Sequence, residues 1–104
     1  MSIDGKLIIV EGFFDCMKIW QAGFMNVVAV MGAEISEEQA AFIIKALGKD
    51  GRIITMFDGD EAGYRGAFKA LSLFLHKIFV KDIRLDKGQQ PDKLTEKQIK
   101  DLLA

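Results

Sequence analysis

A chain of 104 residues with 50% hydrophobic and 28% charged side chains has the balance of one compact globular domain, which excludes a disordered polymer. Its 14 basic and 15 acidic residues leave a net charge of -1, without the basic excess that gives an autonomous nucleic-acid binder its grip. The one cysteine, Cys16, excludes an internal disulfide and a Cys-based zinc site. No apolar run approaches the roughly 18 residues of a membrane span, and residues 1–10 carry no signal-peptide pattern. The expectation is a soluble, cytoplasmic domain over residues 1–104, with no membrane partner.

The predicted elements alternate. Residues 7–10 form an apolar, β-branched run that reads as a strand, and residues 15–22 as a short helix that stops before Gly23. Residues 27–30 read as the second strand. Ser36-Glu37-Glu38-Gln39 is a capping-box pattern. Ala40, Ile43, Ile44 and Leu47 then follow helical spacing until Gly48 ends it. Residues 53–57 read as the third strand. A helix over 61–76 carries Tyr64, Ala67, Phe68, Leu71, Phe74 and Leu75 as its apolar stripe. Residues 78–85 alternate polar and apolar and read as a half-exposed edge strand. A last helix covers about 95–104. The first three strand runs are nearly continuous in apolar residues, which predicts strands covered on both faces, as in a parallel sheet. The order as a whole predicts an α/β domain with a mainly parallel sheet and right-handed crossovers.

In such sheets the functional crevice lies beyond the carboxyl ends of the strands. The first strand is followed by Glu11-Gly12-Phe13-Phe14-Asp15, and the third by Asp58-Gly59-Asp60-Glu61-Ala62-Gly63. With those strands as neighbours, Glu11, Asp58 and Asp60 converge. Carboxylates that close repel one another unless protons or a cation neutralise them. Mg²⁺ suits such a site, being held by a few carboxylates, waters and substrate phosphates. Gly12 and Gly63 permit close backbone approach, and Asp15 is placed to orient Glu11 or a metal-bound water. The plainer role for Asp60 or Glu61 is to cap the third helix.

The segments Val10-Glu11-Gly12-Phe13-Phe14-Asp15 and Phe57-Asp58-Gly59-Asp60-Glu61-Ala62-Gly63, with Ala67 beyond, resemble the two motifs of the Toprim domain. That domain is shared by DnaG-type primases, type IA and II topoisomerases, OLD-family nucleases and RecR-type recombination proteins. The pattern is most similar to that of bacterial DnaG-type primases. The segment from Asn26 to Gly32 is similar to the primase strand that ends in a small residue and glycine. The resemblance covers about residues 7–94, with the C-terminal helix beyond. It implies a Toprim fold with four mainly parallel strands in the order 2-1-3-4. It also implies Glu11 as a general acid/base or metal-linked carboxylate, Asp58 and Asp60 as ligands of Mg²⁺ or Mn²⁺, and Asp15 beside them. The implied activity is nucleotidyl or phosphoryl transfer on nucleic acid, as in primer synthesis for DNA replication. The implied partners are nucleic acid and nucleotides, with help from other domains or proteins.

Two departures accompany the resemblance. Primases carry a third acidic motif, Asp-Pro-Asp, where this chain has Gln90-Pro91-Asp92. Asp92 matches the second acid, and Gln90 puts a neutral amide at the first. No zinc module, basic subdomain or helicase-binding region accompanies the motifs. Three other readings follow: a small Mg²⁺-dependent nuclease with the same carboxylates, a non-catalytic nucleic-acid or protein-binding module, and a receiver-like domain phosphorylated on Asp58. The last lacks the paired acids after strand one and a fifth strand.

Among the remaining residues, Arg65 and Lys69 lie four apart near the proposed site, and Arg65 is the candidate for phosphate contact. Lys45 and Arg52 read as solvated surface. Trp20 reads as core. Of Phe13 and Phe14, beside Glu11, one is expected at the surface. Cys16 reads as structural and His76 as a helix-terminal residue.

Overall fold

The computed structural model describes residues 5–31 and 34–103. In chain order the elements are β1 (Lys6–Val10), α1 (Phe13–Gln21), β2 (Val27–Ala29), α2 (Glu37–Leu47), β3 (Arg52–Thr55), α3 (Glu61–Phe74) and β4 (Phe79–Asp82). A one-turn 3-10 helix (Pro91–Lys93) and α4 (Glu96–Leu103) follow. Residues 1–4, Gly32 of the primase-like segment and Ala104 of the predicted last helix lie outside the described residues.

The four strands pair in parallel in the order β2-β1-β3-β4. β1 takes the middle because Ile8, Ile9 and Val10 are apolar on both sides and wholly buried. Alternate residues of each strand feed opposite cores. Ile8, Val10, Ile54 and Met56 pack with Ile19 of α1 and Ile99 and Leu103 of α4. Leu7, Ile9, Ile53 and Phe57 pack with Ala40 and Leu47 of α2 and Ala67 and Phe74 of α3. Each fully buried aliphatic side chain contributes about 1.5–3 kcal/mol, so the two cores carry the fold.

The helix ends follow their local chemistry. The Ser36 hydroxyl accepts the Gln39 N–H at 3.1 Å, and the Gln39 side chain accepts the Ser36 N–H at 2.9 Å, completing the capping box at the start of α2. Gly48 ends α2 at a φ of +84°, which glycine adopts without strain.

Four expectations change. β2 is a sheet edge rather than a doubly covered strand, and Val28 is 42% exposed. α3 turns Gly63, Ala67, Ala70 and Phe74 to the sheet, and Phe68 points outward at 71% exposure. The helix packs on its small residues, whose spacing was hidden beneath the larger apolar side chains. Trp20 is 54% exposed, not core: Ile19 takes the buried position of that turn and Trp20 falls on the outer face. Phe13 and Phe14 are both exposed, their rings edge to face 5.8 Å apart.

Candidate metal centre

Because Ile9 pairs with Thr55, the chain leaves β1 and β3 side by side, and Glu11 and Asp58 emerge together. The Asp58 N–H donates to Glu11 Oε1 at 3.1 Å. α3 begins directly over this contact. A Cβ on Gly63 would lie 2.0 Å from the Asp58 carbonyl oxygen and 2.9 Å from Glu11 Oε1, so glycine is required there.

Asp60 performs the capping role. It is exposed, and its Oδ1 accepts the Gly63 N–H at 2.7 Å, closing the first turn of α3. Asp15 is buried and joins two segments distant in sequence. Its Oδ2 accepts the Gly12 N–H at 3.2 Å, and its Oδ1 accepts the Asp92 N–H at 3.1 Å. Asp92 thereby reaches the crevice from the 3-10 turn, while Gln90 is exposed. Asp58 Oδ1 and Asp92 Oδ1 are both buried without a hydrogen-bond partner. Such oxygens are rare in folded proteins and call for a proton or a cation.

A clasp that the sequence did not announce holds the turn between Asp58 and Asp60. The Gly59 N–H donates to the Gln89 carbonyl, and the Gly88 N–H to the Gly59 carbonyl, both at 2.7 Å. A Cβ on Gly59 would lie 1.9 Å from the Asp86 carbonyl oxygen. The Tyr64 hydroxyl donates to the Leu85 carbonyl at 3.3 Å, and its ring carries Arg84 at 4.7 Å, which ties α3 to the start of the same loop.

The electrostatics follow from this crowding. Burial, then the charges of Glu11, Asp15, Asp60 and Asp92, push the Asp58 carboxyl up to about 6. Burial raises Glu11 as well, opposed by the Asp58 N–H and helped by Asp60 and Asp15. Asp15 is raised by burial against the two N–H groups it accepts. The ion pairs among the described residues engage Glu61, Glu34, Asp82 and Glu96, not these acids. Among the described residues no three His, Cys, Asp or Glu side chains are drawn into a ready-made metal cage. Five carboxylates sharing one crevice repel, and with Asp60 turned to its cap the cluster stays open.

Beside Glu11 opens a cleft of about 790 Å³ between the start of α2 and α3, lined also by Val30, Phe57, Arg65, Phe68 and Lys69. Arg65 pairs with Glu61 at 3.6 Å, and Lys69 crosses to Glu34 at 2.5 Å. Cys16 faces away, its thiol donating to the Val27 carbonyl at 3.8 Å. Burial, with the Asp15 charge, pushes that thiol up, so it is not poised as a thiolate.

Four parallel strands in the order β2-β1-β3-β4, with acids gathered beyond β1 and β3, define an α/β domain whose acidic crevice lies at the carboxyl ends of its strands. The Toprim domain model matches residues 5–84, and the chain belongs to that family. The DNA primase of Staphylococcus aureus is 39% identical over 90 residues, or 84% of this chain and 14% of that protein. The Aquifex aeolicus primase, solved with its zinc-binding and RNA polymerase domains, superposes at a TM-score of 0.81 with 30% identity. That match covers 96% of this chain and 25% of the solved one. The RNA polymerase domain of Mycobacterium tuberculosis primase, solved with double-stranded DNA, gives 0.73 with 29% identity, covering 95% of this chain and 33% of its own. The chain spans between 14% and 18% of the length of the curated relatives it matches.

Proposed function

We propose that the crevice binds Mg²⁺ or Mn²⁺ and serves metal-dependent nucleotidyl transfer on nucleic acid, as the primer-synthesising core of a primase. The observation that carries the reading is the pair of buried, unpartnered oxygens on Asp58 and Asp92, neither acid being engaged by an ion pair among the described residues. Asp58, Asp92 and Glu11 would hold the ion, with Asp60 reaching it from its capping position. Asp15 positions both Gly12 and Asp92 and so the two sides of the site. A bound divalent ion neutralises phosphoryl charge and orients the in-line oxygens. Burial raises the Glu11 carboxyl above its ordinary value, the direction a general acid/base needs. Arg65 in the cleft would supply a cation to phosphate, whereas the N–H groups of Gly12 and Gly63, expected to face phosphate, are taken by Asp15 and Asp60, and the Asp58 carbonyl fills the space over Gly63.

The wider activity draws on the relatives. A primase domain of M. tuberculosis was solved on DNA, and this chain, a fraction of such proteins in length, would act on nucleic acid and nucleotides together with other domains or proteins. A DNA substrate would place it in the cytoplasm. One observation favours a second reading, a non-catalytic binding module: exposed Gln90 brings an amide where primases bring an acid.

Calorimetric titration of Mn²⁺ and Mg²⁺ tests the site. Saturable binding by the parent, lost in a folded Asp58→Asn/Asp60→Asn variant, is the expected result. Weak binding unchanged in the variant refutes it. Template-directed synthesis against nicking of the same oligonucleotide then separates the primase-like activity from a nuclease, and neither activity with metal bound selects the module.

A further inference from the structure

Charge is divided between the two ends of the sheet. The acids of the crevice gather at the carboxyl ends of the strands. At the amino ends, Lys6, Arg52 and Phe79 stand in register across β1, β3 and β4. Strand alternation puts all three on one sheet face: Ile8 and Ile54, each two residues on, enter the core under α1 and α4, whereas Leu7, Ile53 and Val80 enter the opposite core. Lys81 lies two residues beyond Phe79 on the same face. Phe24 closes the row, with the Lys6 ammonium 5.8 Å from its ring centre. Arg52 and Lys81 are exposed, and Phe79 is 61% exposed.

Register across the strands sets this row apart from ordinary solvated lysines. Lys6 and Arg52 are like charges directly opposite on neighbouring strands, an arrangement that destabilises a sheet. Among the described residues neither of them, nor Lys81, has an ion-pair partner. Helix ends do not account for them. Lys18, Lys45 and Lys100 sit in the last turns of α1, α2 and α4, where they offset the helix dipoles. Lys6, Arg52 and Lys81 belong to strands, so no helix dipole accounts for them.

We propose that this row is a second, metal-independent binding surface for a single-stranded nucleic acid, which takes phosphates on Lys6, Arg52 and Lys81 and a base on Phe79. Neighbouring strands are about 4.8 Å apart, so the row spans about 10 Å, and a β1 of this length sets it about 16 Å from Glu11. A strand held there lies a few nucleotides from the crevice. Cations interleaved with exposed aromatic rings are what backbone tracking and base stacking need. The preference for nucleic acid over another polyanion rests in part on the function proposed above; the surface itself does not.

The test is fluorescence anisotropy of a labelled 12-nucleotide oligothymidine titrated with the chain at low salt in EDTA, which keeps the crevice metal-free. Saturable binding is expected. Its logarithmic dependence on salt should have a slope of about -2, from three phosphate contacts on a single strand. Arg52→Glu/Lys81→Glu should bind at least tenfold more weakly, and Phe79→Ala several-fold, at unchanged thermal midpoints. Should the charge reversal lower the midpoint, Arg52→Gln/Lys81→Gln is read in its place. Asp58→Asn/Asp60→Asn should bind at least as tightly as the parent, so failure of the metal site leaves this result standing. No binding at low salt, or equal binding by the Arg52/Lys81 and Phe79 variants, overturns the surface. Polyglutamate competing as well as oligothymidine assigns the row to an acidic protein segment and overturns the nucleic-acid assignment.

Discussion

Asp58→Asn should make the metal-free chain more stable at pH 7.5, at the expense of its metal binding. Crowding by burial and four other carboxylates pushes the Asp58 carboxyl from 3.8 to about 6. At 1.36 kcal/mol per unit the whole shift corresponds to about 3 kcal/mol. The carboxylate is partly open to water, and screening reduces this to about 1–2 kcal/mol. The sign follows from proton counting. Between about pH 4 and 6 the folded chain keeps a proton that the unfolded chain has released, so stability falls as pH rises through that window. Below it the group is protonated in both states and the penalty is absent; above it the penalty is complete. The variant has no charge to bury, and its amide offers donors to the neighbouring carboxylates. For a domain of this size the gain raises the thermal midpoint by about 5–10 °C. Unfolding followed by circular dichroism in EDTA should show that rise at pH 7.5 and almost none at pH 4. Mn²⁺ should then reverse the order, since it stabilises only the chain that binds it. A variant midpoint equal to or below the parent's at pH 7.5 refutes the reasoning. So does an equal gain at both pH values, which would trace the effect to packing rather than charge.

Four further substitutions probe the frame around the site. Gly59→Ala drives a Cβ into the Asp86 carbonyl; denaturant titration should show a loss of about 1–3 kcal/mol, with weaker Mn²⁺ binding by calorimetry as the clasp shifts. Phe74→Ala empties a wholly buried site and should cost about 3–5 kcal/mol, whereas Phe68→Ala, on the exposed face of the same helix, should stay within about 0.5 kcal/mol. Chemical denaturation of the pair decides which face of α3 meets the sheet. Ser36→Ala removes one half of the capping box and should lower stability by about 0.5–2 kcal/mol, read from the urea midpoint at constant slope.

Much of the fold was legible in the sequence because its signals are local. The β-branched runs at residues 7–10 and 53–57, the Ser36 capping box and Gly48 each act within a few residues, and β1, β3 and α2 form where those signals lie. The alternation of strand and helix predicts a mainly parallel α/β sheet, and the order β2-β1-β3-β4 is the one that the Toprim resemblance implies. The burial of α3 was less legible. Periodicity weights large apolar side chains, while close packing on a sheet favours small ones, so Ala67 and Ala70 took the inner face and Phe68 the outer.

The sequence by itself determined which acids stand at the ends of which strands, and that Glu11 and Asp58 would be neighbours once β1 and β3 paired. Motif spacing encodes this, because a strand places the residue that follows it at a known edge of the sheet. Tertiary structure alone decided the rest of the crevice. It brought Asp92 to Asp15, clamped Gly59 beneath the loop after β4, and left two carboxylate oxygens buried without partners. Those outcomes depend on contacts between segments far apart in the chain, whose geometry is set by how both cores close and which no local pattern carries.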